Sequence, residues 1–231
     1  MRTLGIIGGI GPESTIEYYR LILASYRALR PDGGYPPLVI NSINLTKMLD
    51  LIAANRLSEV TEYLLSEVKR LEQAGADFGL LAANTPHIIF DDLERRSPIP
   101  LISIVQSTCQ AAKALNLKTV GLLGTRFTMQ GQFYPEVFSR QGITLVVPDL
   151  GDQDYIHTKY MGELVKGVFL PETREGLLAI VDRLRKRTHI QAVILGGTEL
   201  PLILREGDDG GIPFLDTTRI HAQSAVARML S

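Results

Sequence analysis

Apolar and polar positions follow two different periods along the chain. Leu4–Gly8, Leu38–Ser42, Phe78–Ala82 and Pro100–Ile104 are short, nearly continuous apolar runs, the pattern of strands buried on both faces. Between them the spacing changes to threes and fours. Leu57, Val60, Leu64, Val68 and Leu71 mark one face of a helix, and Gly75 is placed to end it. Pro86 suits the first turn of a helix running to about Arg95. The second half repeats the scheme, with strands predicted at Thr119–Leu123, Ile143–Val147, Ala192–Gly196 and Ile212–Leu215. Alternating strands and helices predict an α/β fold of mostly parallel sheets flanked by helices.

The repetition extends to individual residues. TLGIIGG at 3–9 resembles TVGLLGT at 119–125, so that Gly5 matches Gly121 and Gly8 matches Gly124. LLAANTPH at 80–87 resembles ILGGTELP at 194–201, matching Ala83 to Gly197. IPLIS at 99–103 resembles IPFLD at 212–216, matching Pro100 to Pro213. Correspondences in the same order at nearly constant offset indicate internal duplication. The chain is therefore predicted to form two similar lobes of four strands each, 1–104 with 217–231 and 105–216. Ligands of parallel sheets gather at the carboxyl ends of strands. The loops after Gly8, Ala82, Leu123 and Gly196 are thus expected to line one cleft between the lobes. The polar Gly207–Gly211 stretch is expected to be a surface loop.

Composition narrows the function classes. The net charge of −1 gives no steering toward nucleic acid or an anionic membrane. No apolar run approaches the ~18 residues of a membrane span. Cys109 is the only cysteine, which excludes an internal disulfide or a cysteine-built metal site and fits a cytoplasmic protein. It lies in an apolar helical pattern and reads as a packed small residue. No histidine pair or carboxylate cluster has metal-ligand spacing.

GGIGPEST at 8–15 lacks the third glycine of a dinucleotide loop, and Asn41 and Asn44 stand where a ribose-binding acid belongs. It reads instead as a tight turn into a helix, where the amides of Gly9 and Ile10 would hold a carboxylate. Asn84, Thr85, Thr198 and Glu199 follow buried strands directly, and Thr125 and Thr128 open a third helix. Capping of the helices is one account of these groups. Recognition of the carboxylate and amine of an amino acid is the other. His87, His157, Lys159 and His221 are candidates for acid–base work, each with a structural alternative. His157 and Lys159 lie in DQDYIHTKYMGEL at 152–164, which also reads as a solvated helix face. Arg183–Arg187 reads as a solvated helix end.

GIIGGIGPESTIEYYR at 5–20, NTPH at 84–87, GLLGTRFTMQGQFY at 121–134, GGTELPL at 196–202 and FLDTTRIHA at 214–222 together resemble the aspartate/glutamate racemase family. The resemblance covers nearly the whole chain. It implies two pseudo-two-fold-related α/β lobes with the active site between them, a homodimer, an acidic amino acid or dicarboxylate as ligand, and no pyridoxal phosphate or other cofactor. In that family a cysteine stands just before the Asn-Thr of the first loop and another before the Thr-Glu of the second. One thiolate removes the α-proton and the other thiol returns a proton to the opposite face. Ala83 and Gly197 occupy those two positions here, and neither side chain carries a proton. Three readings follow: a cysteine-independent lyase or dehydratase using His87, Glu199, His157 or Lys159, a non-catalytic binder, and a substituted form of an ordinary racemase.

Overall fold

A computed structural model of the chain describes residues 1–30, 34–205, 207 and 211–231. Contacts divide it into two units, Met1–Ile104 with His221–Ser231, and Val105–Ile220. Residues 217–220, which the sequence reading put with the first lobe, fall in the second unit.

The first unit runs β1 (Leu4–Gly8), α1 (Pro12–Leu29), β2 (Leu38–Ser42), α2 (Leu45–Ala53), α3 (Leu57–Gln73), β3 (Phe78–Leu81), a 3₁₀ turn at Thr85–Ile89, α4 (Phe90–Arg96) and β4 (Leu101–Ile102). All strands are parallel in the order β2-β1-β3-β4. Every residue of the neighbouring inner strands β1 and β3 is buried, whereas edge strand β2 is partly exposed. The second unit runs α5 (Ile104–Ala114), β5 (Thr119–Gly124), α6 (Arg126–Gln130), α7 (Phe133–Ser139), β6 (Thr144–Val146), α8 (Leu150–Gly162), α9 (Pro171–Thr188), β7 (Ala192–Gly196), α10 (Leu200–Ile203), β8 (Phe214–Asp216) and the first turn of α11 (Thr217–Leu230), whose residues from His221 on belong to the first unit. Its strands are also parallel, in the order β6-β5-β7-β8.

The two sheets share one wiring, and the repeated residues do equivalent work in each. A Cβ on Gly5 would lie 2.9 Å from Leu71 Cδ1, and one on Gly121 would lie 3.0 Å from Leu184 Cδ2. Each glycine lets a long helix, α3 or α9, pack directly on an inner strand. The prolines match as well: Gly79 N–H donates to Pro100 O (2.9 Å) and Val193 N–H to Pro213 O (3.0 Å). Helix α3 stops as predicted, with Ala76 N–H on Leu71 O and Gly75 N–H on Glu72 O, the paired bonds of a Schellman close.

Some boundaries differ from the sequence reading, each for a local reason. β4 ends at Ile102 because the Ile104 amide turns to a histidine instead of the ladder. β8 begins at Phe214, after Pro213, which has no N–H to donate. The single helix expected from Pro86 is a 3₁₀ turn followed by α4. Gly207 and Gly211 are exposed, while residues 208–210 of that predicted loop lie outside the described residues. Cys109 is buried in α5, and burial raises its thiol pKa. The Arg183–Arg187 run lies on the last turns of α9, where Arg183, Lys186 and Arg187 form half-exposed to exposed ion pairs with Asp152, Asp182 and Asp149. Pairs this exposed contribute little stability.

Buried His221 ties the C-terminal helix to the first sheet, and buried His87 braces the loop after β3. His221 Nε2–H donates to Ile102 O (3.0 Å), which leaves Nδ1 to accept from the Tyr18 hydroxyl (2.7 Å). His87 has the opposite tautomer. Its Nδ1–H donates to Ala83 O (3.0 Å) and its Nε2 accepts from the Ile104 amide (3.2 Å). The rings lie 6.3 Å apart, and His87 stacks on Phe90 at 4.8 Å. Burial, reinforced by the nearby His221, pushes the His87 pKa down to about 3. Burial pushes that of His221 down to about 4.

An unfolded histidine takes its proton near pH 6.5, whereas the folded rings resist it until pH 4 and 3. The unfolded state therefore binds more protons across that window. Stability is full above pH 6.5 and falls on acidification, by up to about 1.4 kcal/mol per pH unit for each histidine. Imidazole ¹⁵N shifts of His87 and His221 are expected to stay in the neutral range at pH 5 while the urea midpoint declines. Protonation of either ring near pH 6.5 in the native protein contradicts this.

Candidate functional site

In the first unit the sequence-predicted residues collect where β1 and β3 end side by side. β1 stops at Gly8, and Gly9-Ile10-Gly11 turns the chain into α1, with Pro12 at its first position. The Gly9 amide donates to Thr15 Oγ1 (2.9 Å), so the chain itself uses one of the N–H groups expected to hold a carboxylate. Asn41, read from the sequence as standing where a ribose-binding acid would be, donates to Glu67 Oε2 (2.8 Å). Beyond β3, Ala83, Asn84, Thr85 and His87 are all buried. Both nitrogens of His87 face backbone partners, so the ring braces the loop and holds neither a free lone pair nor a free N–H for proton transfer.

In the second unit Thr125, Thr128, Thr198 and Glu199 gather in the same way, at the ends of β5 and β7. Thr125 caps α6, accepting from the Thr128 amide (3.3 Å), and its hydroxyl meets that of Thr128 at 3.2 Å. Thr128 packs beside Gly124 and Gly196. Glu199 is buried, and its carboxylate accepts from the Tyr160 hydroxyl and from Thr198 Oγ1 (3.1 Å). Tyr160 comes from α8 and is equally buried. Burial, with the Glu199 charge second, holds its hydroxyl well above the ordinary tyrosine range, so it stays protonated. The side chains of Asn84 and Glu199, at the cap positions, make no cap hydrogen bond to the helices that follow.

Lys159 and His157 of α8 are occupied by other partners. Lys159 Nζ pairs with Glu163 Oε1, and this hydrogen bond raises its pKa; Glu163 also accepts from Thr173 Oγ1 (2.5 Å). His157 Nδ1 accepts from the Arg126 amide at the start of α6 (3.2 Å), and burial followed by the Arg126 charge lowers its pKa. Lys159 is thus spent on Glu163 and His157 on the start of α6. No group of three or more His, Cys, Asp or Glu among the described residues is arranged to hold a metal, and no described helix is long and apolar enough to cross a membrane.

Tyr160, which the sequence reading did not single out, meets the second-unit cluster through Glu199. It repeats Ile156 at four residues, the signal of a core position, and it is one. Nothing local to residue 160 announces its partnership with residues 197–199.

Comparison with known proteins places this geometry. The family model described as Asp/Glu/Hydantoin racemase matches residues 7–225. The broad specificity amino-acid racemase of Bacillus subtilis (strain 168) is 24% identical over 233 residues, covering 99% of this chain and 98% of that protein. A candidate Asp/Glu racemase from Yersinia pestis matches with a TM-score of 0.90 and 30% identity over 100% of both chains. An aspartate racemase homologue from Pyrococcus horikoshii OT3 matches with a TM-score of 0.83 and 31% identity, again over 100% of both. Matched along nearly its whole length, the chain belongs to the Asp/Glu/hydantoin racemase family.

Proposed function

We propose that the protein binds a small acidic amino acid or dicarboxylate, that Asn84 and Thr85 in one unit and Thr198 and Glu199 in the other are ligand-recognising groups, and that it does not racemise the ligand by a two-thiol route. Ala83 and Gly197 carry this reading, because they stand where the family resemblance implies a thiol on each loop and neither can hold a proton. Racemisation needs proton-carrying groups on both faces of the α-carbon. Ile10, Thr125 and Thr128 complete the set of ligand-recognising groups in this reading, while the Gly9 amide is taken by Thr15. The same reading takes the protein as a cytoplasmic homodimer that uses no cofactor.

A one-base reaction such as a lyase or dehydratase step is the second reading, and the burial of Glu199 in its loop favours it. Glu199 is a carboxylate already hydrogen-bonded to two hydroxyls, one of which, Thr198, is in the same loop. The nitrogens of His87 are committed to backbone, and Lys159 to Glu163.

Aspartate and glutamate in deuterated water distinguish the readings by NMR. The binder is expected to raise the melting temperature with at least one of the two and to leave the α-proton in place. Exchange without inversion, lost in Glu199→Gln, supports the one-base reading. Exchange with inversion contradicts the central claim, and the absence of a thermal shift with any acidic amino acid or dicarboxylate ends the binding reading.

A further inference from the structure

Glycine at 197 answers a demand for room. Gly197 is not among the residues with positive φ, so its backbone conformation is open to any residue. What it lacks is space. A Cβ there would lie 2.8 Å from Tyr160 Oη and 2.9 Å from Tyr160 Cζ, with Cε2 nearer still. The ring is not a loose side chain that swings aside. It packs in the core cluster with Leu123, Ile156, Leu164, Leu195 and Leu200, and its hydroxyl is held by Glu199. Tyr160 thus fills the place of a residue-197 side chain and engages the loop's carboxylate with the same side chain.

We propose that Tyr160 is a specificity-determining residue of the second loop: its ring takes the volume beside Gly197 and so limits the length of the dicarboxylate the loop admits. The ligand half of this inference rests on the binding reading above; the packing half does not. Without the ring, the loop gains a space walled by the leucines of the cluster and by Glu199. An additional methylene is worth roughly ten-fold or more in a pocket that accepts it.

The packing half is tested without ligand, by a double-mutant cycle on the full chain. Gly197→Ala is expected to lower the melting temperature by about 3–8 °C. The same substitution is expected to cost as much in a Tyr160→Phe background, where the ring remains, and little or nothing in Tyr160→Ala or Tyr160→Leu. Equal losses in the ring-bearing and ring-less backgrounds overturn the proposal. The Phe and Leu variants keep apolar bulk, so the comparison does not depend on Tyr160→Ala folding.

The ligand half is read by calorimetry with succinate and glutarate. The ratio of affinities is expected to move at least ten-fold toward glutarate in the ring-less variants and to stay at the wild-type value in Tyr160→Phe. An unchanged ratio in the ring-less variants overturns the specificity role. If the wild type binds none of succinate, glutarate, aspartate and glutamate, the binding reading itself falls and takes the ligand half with it. The stability cycle still decides the packing half.

Discussion

A parallel sheet covered on both faces confines its chemistry to the places where its inner strands stop. β1, β3, β5 and β7 pair with neighbours on both sides, and nearly every side chain along them is buried in the core. Polar side chains therefore enter at the carboxyl ends, and there they must be hydrogen-bonded as fully as any buried group. In the first unit this is met by backbone partners of His87 and by the Tyr18–His221–Ile102 chain. In the second it is met by side chains, with Glu199 receiving Tyr160 and Thr198. One wiring thus yields two different loop interiors. One is braced by an imidazole with no nitrogen to spare, and the other is filled by a phenol.

That difference bears on what each loop can do. A group that moves protons has to be free to gain and lose one at working pH. His87 stays neutral because it is buried, and Tyr160 stays protonated for the same reason. Both are good at holding a shape and poor at changing charge. The positions from which the family resemblance implies proton transfer hold Ala83 and Gly197.

Much of the fold is legible in the sequence because it depends on short-range patterns. Apolar runs mark the strands, spacing in threes and fours marks α3, and matched glycines and prolines mark the duplication. The glycine matches are legible because each answers a steric demand that recurs in both units, the close approach of α3 to Gly5 and of α9 to Gly121. The interior of the site is legible only in part. Asn84, Thr85, Thr198 and Glu199 announce themselves as polar residues at strand ends. The histidine tautomers depend on Ile102 and Ile104, and the meaning of Gly197 depends on Tyr160, all distant in sequence. A buried tyrosine in helical register looks like core whether or not its hydroxyl meets a carboxylate. His157 and Lys159 illustrate the converse: a segment rich in functional side chains that spends them on α6 and on Glu163.

The most direct test of the central claim is a crystal structure of the protein soaked with aspartate. The account predicts bound aspartate whose α-carbon lacks a proton-carrying side chain on at least one face. Two such side chains within hydrogen-bond reach of the α-carbon on opposite faces would contradict it.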